Sequence, residues 1–199
     1  MTRLKLDTSL LKGAVYDETT YYLATNGNGI LTTTDPSSST LQDGSKYKIV
    51  GIIKVGDKIV GVSRDGYILY GNASNGFTAH PSGVTYTGAL ATWKNPNDTT
   101  QNLLLLGIQG GGVSTVHGYR EILLKDDGTL NPDNMSLSRP GENEPSSVRD
   151  YEQYVVDIGK QPLSSIIQAP GGILFAATAK DGLWSYRERN GKFVWNAED

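Results

Sequence analysis

The 199-residue chain is 37% apolar and 20% charged, the balance of a chain that folds around a core rather than a disordered one. It has no cysteine, which excludes a disulfide framework, a thiolate zinc site and a cysteine nucleophile. Eighteen Lys and Arg against 21 Asp and Glu leave a net charge of -3, which offers a nucleic-acid backbone no basic face, and no apolar run approaches the roughly 18 residues of a membrane span.

Read from its start, Met1 to Asp7 alternates in polarity like a strand and lacks the apolar segment of a signal peptide. The polar vocabulary resembles that of bacterial exported proteins, which favours export, with a cytosolic chain, a removed leader or an upstream domain all left open. The 24 Gly and 11 Tyr suit many tight turns between short strands. A first unit then opens with an apolar strand at Leu11 to Tyr16, a turn at Asp17-Glu18, and a hairpin over Tyr22-Leu-Ala-Thr-Asn-Gly-Asn-Gly-Ile-Leu31. The second repeats it: a strand at Ile49 to Val55, a turn at Gly56-Asp57, and a hairpin over Ile59-Val-Gly-Val-Ser-Arg-Asp-Gly-Tyr-Ile68. The third places a strand at Gly88 to Trp93, a turn at Asn95 to Asp98, and a hairpin over Leu104-Leu-Leu-Gly-Ile-Gln-Gly-Gly-Gly-Val113.

Residues 131–150 hold three of the eight prolines and almost nothing apolar, so they read as an inserted polar loop. Tyr151 to Ile158 resumes as a strand. The fourth unit follows, with a strand at Leu163 to Gln168, a turn at Pro170-Gly171-Gly172, a hairpin over Leu174 to Leu183, and a last strand over Gly191 to Asn196. Strand, turn, strand, tight turn, strand, with a further polar strand behind, is the content of one blade of a β-propeller. No stretch holds helical period for more than a turn or two.

Ile173-Leu-Phe-Ala-Ala-Thr-Ala-Lys-Asp-Gly-Leu-Trp-Ser-Tyr186 resembles the β-propeller repeats of bacterial sensor-regulator ectodomains and sortilin-like proteins. Those repeats run from an apolar strand ending in a small residue and Thr through a Gly-Leu hairpin into an aromatic strand. Leu23 to Leu31 matches the same pattern more loosely. The expectation is an all-β, propeller-like single domain over 1–199 with four recognisable four-stranded blades. Three arrangements fit: a ring closed by Thr2 to Asp7 beside Lys192 to Asn196, an arc of a larger ring, or a half that forms a homodimer. Closure is the first of these, because a propeller buries its edges only when first and last blades meet.

Tests for chemistry come back empty. Gly61-Val-Ser-Arg-Asp-Gly66 is one residue too long for a nucleophile elbow, and it also puts its Gly too early for an Asp-box. Gly107 to Gly112 has no Lys-Ser/Thr after it and so is not a phosphate loop. His80 and His117 are too far apart for a zinc motif, and Asp126-Asp127-Gly128-Thr129 lacks the oxygen ladder of a calcium loop. The reading therefore has no catalytic residues, metal or cofactor, and leans away from an enzyme. It does keep a glycan-processing enzyme open, with carboxylates drawn from Asp65, Glu121, Asp157 and Asp181.

The favoured function is a binding or scaffolding module for a protein or glycan. In the architecture the resemblance implies, the turns at Asn26–Asn28, Arg64–Gly66, Gln109–Gly112 and Lys180–Gly182 ring one rim. Candidate binding residues are Tyr67, Trp184 and Tyr186, just after these turns, and His117, Tyr119 and Arg120, read as an exposed cluster of cation and aromatic. A ligand-sensing ectodomain fragment is the other alternative.

Overall fold

The computed structural model describes residues 11–35, 46–82, 84–109, 118–135, 148–150 and 162–198. They form four antiparallel sheets, each a simple up-and-down meander. The first contains β1 (Leu11–Tyr16), β2 (Tyr21–Thr25) and β3 (Gly29–Thr33), and the second β4 (Ile49–Val55), β5 (Lys58–Ser63), β6 (Tyr67–Asn72) and β7 (Gly76–Pro81). The third runs β8 (Thr85–Lys94), β9 (Asn102–Gln109), β10 (Gly118–Leu123) and β11 (Val148–Asp150). The fourth runs β12 (Leu163–Gln168), β13 (Leu174–Thr178), β14 (Leu183–Arg189) and β15 (Lys192–Glu198). Three of the four opening strands carry the bounds read from the sequence.

Hydrophobic pattern explains how the sheets stack. Side chains alternate across a strand, so a strand covered on one face alternates and one covered on both is apolar throughout. The Leu-Leu-Leu-Leu run of β9 is the second kind. Leu104, Leu106 and Ile108 face the second sheet among Val60, Val62 and Ile68, whereas Leu103 and Leu105 face the fourth among Ile166, Leu174 and Ala176. In β5, Ile59 packs with Tyr22, Ala24 and Ile30 of the first sheet. Three cores thus lie between four sheets, and each fully buried Val, Leu or Ile contributes roughly 1.5–3 kcal/mol.

The opening strands sit side by side: β1 packs on β4, β4 on β8, and β8 on β12. Each sheet also brings its second strand, β2, β5 or β9, against the opening strand of the next. Among the described residues no contact of comparable extent joins β12 or β13 to β1. The described sheets thus follow one another in a row. Thr2 to Asp7, the expected closing strand, lies outside the described residues.

Close approach of the opening strands requires glycine. Gly51 in β4 and Gly88 in β8 meet backbone to backbone, so that a Cβ on Gly51 would collide with the Gly88 carbonyl and one on Gly88 with the Val50 carbonyl. Gly88 also has φ +96°, a conformation that L side chains rarely adopt. Each opening strand carries a register shift near its start: one extra residue at Leu11/Gly13, Ile49/Gly51 and Leu163/Ser165, and a larger shift at Tyr86/Leu90 in β8.

In the third unit the described part of β10 begins at Gly118, paired with Ile108; the glycine turn and the strand start expected at Val113 lie outside the described residues. The other hairpins end their second strand in Thr25, Ser63 or Thr178, whose hydroxyl fastens the turn, and Ile108-Gln109 supplies none. The stretch 131–150 also contributes to the fold at its described ends. Asn131 caps a short 3-10 turn that leads to buried Met135, and β11 pairs with β10. Tyr151 to Ile158 lies outside the described residues, as does any strand of the first sheet beyond β3.

The first two sheets are also clamped at their outer side. Tyr22 donates from its hydroxyl to Asp17 Oδ2 at 3.1 Å and accepts from the Ala73 amide at 2.9 Å. Asp17 Oδ1 accepts from the amides of Thr19 and Thr20. Burial alone would raise the Asp17 pKa, but hydrogen bonds from Thr20, Thr19 and Tyr22 outweigh it and hold the carboxyl at about 2.

Two predictions follow from these contacts. Gly88→Ala should lower unfolding free energy by about 2–4 kcal/mol in urea titrations, and Gly51→Ala by a similar amount. A folded-state pKa below the unfolded value stabilises above the unfolded pKa and ceases to do so as pH falls through the folded one. The Asp17 contribution should therefore be complete above about pH 5 and disappear towards pH 2. Asp17→Asn should flatten the pH dependence of the melting temperature across that window.

Candidate functional site

The rim is built by local chemistry at the ends of the second strands. Thr25 Oγ1 donates to the Gly29 carbonyl at 2.8 Å and accepts from the Asn28 amide, and Thr178 Oγ1 donates to the Gly182 carbonyl at 2.9 Å and accepts from the Asp181 amide. Ser63 Oγ accepts from the Tyr67 amide at 2.9 Å. The residues that carry these hydroxyls are buried, so the bonds satisfy the hydroxyls while fastening the turns.

Each turn is then tied to a neighbouring segment. The Gly27 and Gly29 amides donate to the Tyr47 carbonyl, the Arg64 amide donates to Lys48, and the Ser82 amide and hydroxyl both donate to Gly66. The Ala179 amide donates to the carbonyl of Pro162, the residue that leads into β12. The turns after the second strands therefore sit at the same end as the starts of β4, β8 and β12.

A cavity of about 570 Å³ opens among them. Arg64, Gln109 and Ala179, each at or beside a different turn, form its outer wall. Thr85 and Thr87 from the bulged start of β8 and Ser164 from β12 bring hydroxyls, with Val50, Leu163 and Tyr86 as the less polar part. Arg64 is the charged member of this lining. At the opposite rim a smaller cavity, of about 250 Å³, lies between Lys54, Lys94, Asp126 and Asp127.

The residues favoured from sequence are mostly elsewhere. Tyr119 and Arg120 are buried, at 2% and 0% exposure, which corrects the expectation of an exposed cluster. The reason is that β10 is an inner strand, between β9 and β11, and the sheet's faces are packed: Tyr119 sits in the core between the third and fourth sheets. Tyr119 accepts a hydrogen bond from Trp195 Nε1 at 3.1 Å, and Tyr186 packs against the same indole, its ring 5.1 Å away. Tyr119 and Tyr186 are thus brought together as packing between the third and fourth sheets. Tyr67 is half-buried against Tyr47, and half-buried Trp184 donates from Nε1 to the Asp181 carbonyl beside its turn. His117 lies outside the described residues.

The candidate carboxylates are not gathered either. Asp65 and Asp181 are exposed on two different turns, Glu121 is buried within β10, and Asp157 lies outside the described residues. Among the described residues no three His, Asp or Glu groups are placed to hold a metal, and no helix is long and apolar enough to cross a membrane. Reading the sequence missed Thr85, Thr87 and Ser164. Their only signal is proximity to the bulges, which one-dimensional pattern does not reveal.

If Tyr119 is packing, Tyr119→Phe should leave Trp195 Nε1 without its acceptor and cost about 1–2 kcal/mol in a denaturant titration. Ligand affinity at the rim should not change.

No family model matches the chain, and no curated protein matches it. Solved structures do match. The extracellular domain of the putative one-component system BT4673 from B. thetaiotaomicron superimposes with a TM-score of 0.57 at 15% identity, over 92% of this chain and 22% of that one. BBS1N, in its complex with ARL6DN, gives a TM-score of 0.53 at 10% identity, over 92% of this chain and 52% of that one. The computationally designed Ika4 protein gives 0.50 at 14% identity, over 90% and 91%. The chain thus spans about half of BBS1N and about a fifth of the bacterial domain. At these identities the likeness is one of fold, and the fold is all-β and propeller-like, with four sheets packed face to face.

Proposed function

We propose that the chain is a non-enzymatic binding module that takes a carboxylate-bearing protein segment at the rim cavity. The observation that carries this reading is the cavity itself, large enough for several residues of an extended peptide and bounded by three of the turns. Its lining suits a peptide better than a sugar. Sugar sites usually present an exposed aromatic ring, and Tyr86, the aromatic residue in this lining, is 2% exposed. Hydroxyls and an amide can hydrogen-bond a peptide backbone, and Arg64 supplies a planar donor fork for a carboxylate.

The repeat Ile173 to Tyr186 is read as the kind found in bacterial sensor-regulator ectodomains, in keeping with the fold of the BT4673 extracellular domain. That BBS1N carries ARL6DN in its crystal structure supports a protein partner for such a fold.

A degenerate peptide array with free and amidated C-termini, followed by calorimetry on the best binders, tests this. Binding should occur without cleavage, and Arg64→Ala should weaken it by about tenfold or more, as loss of a charge-assisted bidentate contact does. Bound peptides indifferent to Arg64→Ala, or turnover of peptide or polysaccharide, would contradict it.

A further inference from the structure

The smaller cavity, at the opposite end of the opening strands, is walled by charges of both signs. Lys54 and Lys94 stand at the ends of β4 and β8, and Asp126 and Asp127 lie in the turn that follows β10. Gln168 lines it from the end of β12, and Val55, Trp93 and Leu124, all buried, form its floor.

The acidic turn is fixed in place by its neighbours. Buried Asn102, at the start of β9, donates from Nδ2 to the carbonyls of Lys125 at 3.3 Å and Asp126 at 2.9 Å, and its own carbonyl accepts from the Leu124 amide at 2.8 Å. The Gly128 amide donates to the Lys125 carbonyl and closes the turn. On the side of β4, Gly56 lies so near this loop that a Cβ on it would be 2.8 Å from Thr129 Cγ2. Asp127 Oδ1 accepts from the Thr129 hydroxyl at 2.6 Å and from the Thr129 amide at 3.0 Å. Those bonds hold the Asp127 carboxyl below the usual carboxylate range, so it is charged at neutral pH.

The two signs do not neutralise each other by contact. Among the described residues neither Lys54 nor Lys94 is in an ion pair, and the Asp126 carboxylate accepts no hydrogen bond. The lining as a whole sets Lys54 and Lys94 against Asp126 and Asp127 and so carries no net charge. Such a wall favours neither a simple anion nor a simple cation, whereas a molecule bearing both signs meets a partner for each. Its volume of about 250 Å³ lies below the roughly 300–1,000 Å³ of pockets that bury a drug-sized ligand, so the occupant is small. Trp93 is only 4% exposed and presents no ring face on which a sugar could stack.

We propose that this cavity binds a free α-amino acid with an apolar side chain. Lys54 and Lys94 take its carboxylate, Asp126 and Asp127 its ammonium, and the floor of Val55, Trp93 and Leu124 its side chain. The site is separate from the rim cavity at the other end, and either reading can fail without the other.

Calorimetry on the 199-residue chain at low ionic strength tests it, with L-leucine, L-phenylalanine and other L-amino acids, each also as its N-acetyl and its C-terminal amide derivative. Free amino acids with apolar side chains should bind. Blocking either end should weaken binding by about fivefold or more, since one ion pair at a solvent-facing site is worth up to that. In a variant carrying Lys54→Gln and Lys94→Gln, free acid and amide should bind alike, and in Asp126→Asn the cost of acetylation should shrink. All three changed residues are exposed, and unchanged circular dichroism and melting would show that the variants fold. Absence of binding by every free amino acid up to about 10 mM would overturn the proposal. So would blocked and free forms that bind equally, or costs of blocking that the variants leave unchanged. Inorganic phosphate or calcium bound more tightly than any amino acid, and dependent on the same residues, would also overturn it, as a site for one sign of charge.

Discussion

Face-to-face packing between consecutive sheets is the constraint on which the molecule depends. A β-meander of three or four short strands cannot bury enough apolar surface alone, and here each interior sheet is buried on both faces. β5 and β9 carry that load, since their side chains point alternately into two different cores. The opening strands must also approach closely, and Gly51 and Gly88 are the residues that allow it. Register shifts near the starts of the opening strands lie beside the larger cavity, whose lining takes Val50, Thr85, Tyr86, Thr87 and Ser164 from those starts.

The same constraint separates the middle of the chain from its ends. A sheet made for two neighbours and given one leaves apolar residues in water. Among the described residues, five of the six large exposed hydrophobic ones, Leu11, Tyr16, Ile167, Leu183 and Val194, are on the first and fourth sheets. Scattered exposed apolar residues need no explanation, but Leu11 and Leu183 correspond by strand pairing to Ile49 and Ile68, which are buried in the second sheet.

Much of the fold was legible in the sequence because its signals are local. Gly29, Gly66 and Gly182 mark hairpin turns through their positive φ, and alternation or runs of apolar residues mark the strands. The turn of the third hairpin, read from three consecutive glycines, lies outside the described residues. The site was less legible. A pattern of residue types cannot say which face of β10 meets solvent, so Tyr119 and Arg120 read as a surface cluster while long-range packing buries them. Arg64 and Gln109 could be placed on the rim, but the hydroxyls of Thr85, Thr87 and Ser164 join them only through contacts between sheets.

Amide hydrogen exchange, read strand by strand, tests most directly whether consecutive sheets are held by burial on both faces. The account predicts the slowest exchange in β5 and β9, at rates set by global unfolding, and much faster exchange in the outer strands β7 and β15. Exchange in β5 and β9 as fast as in β7 and β15 would contradict it.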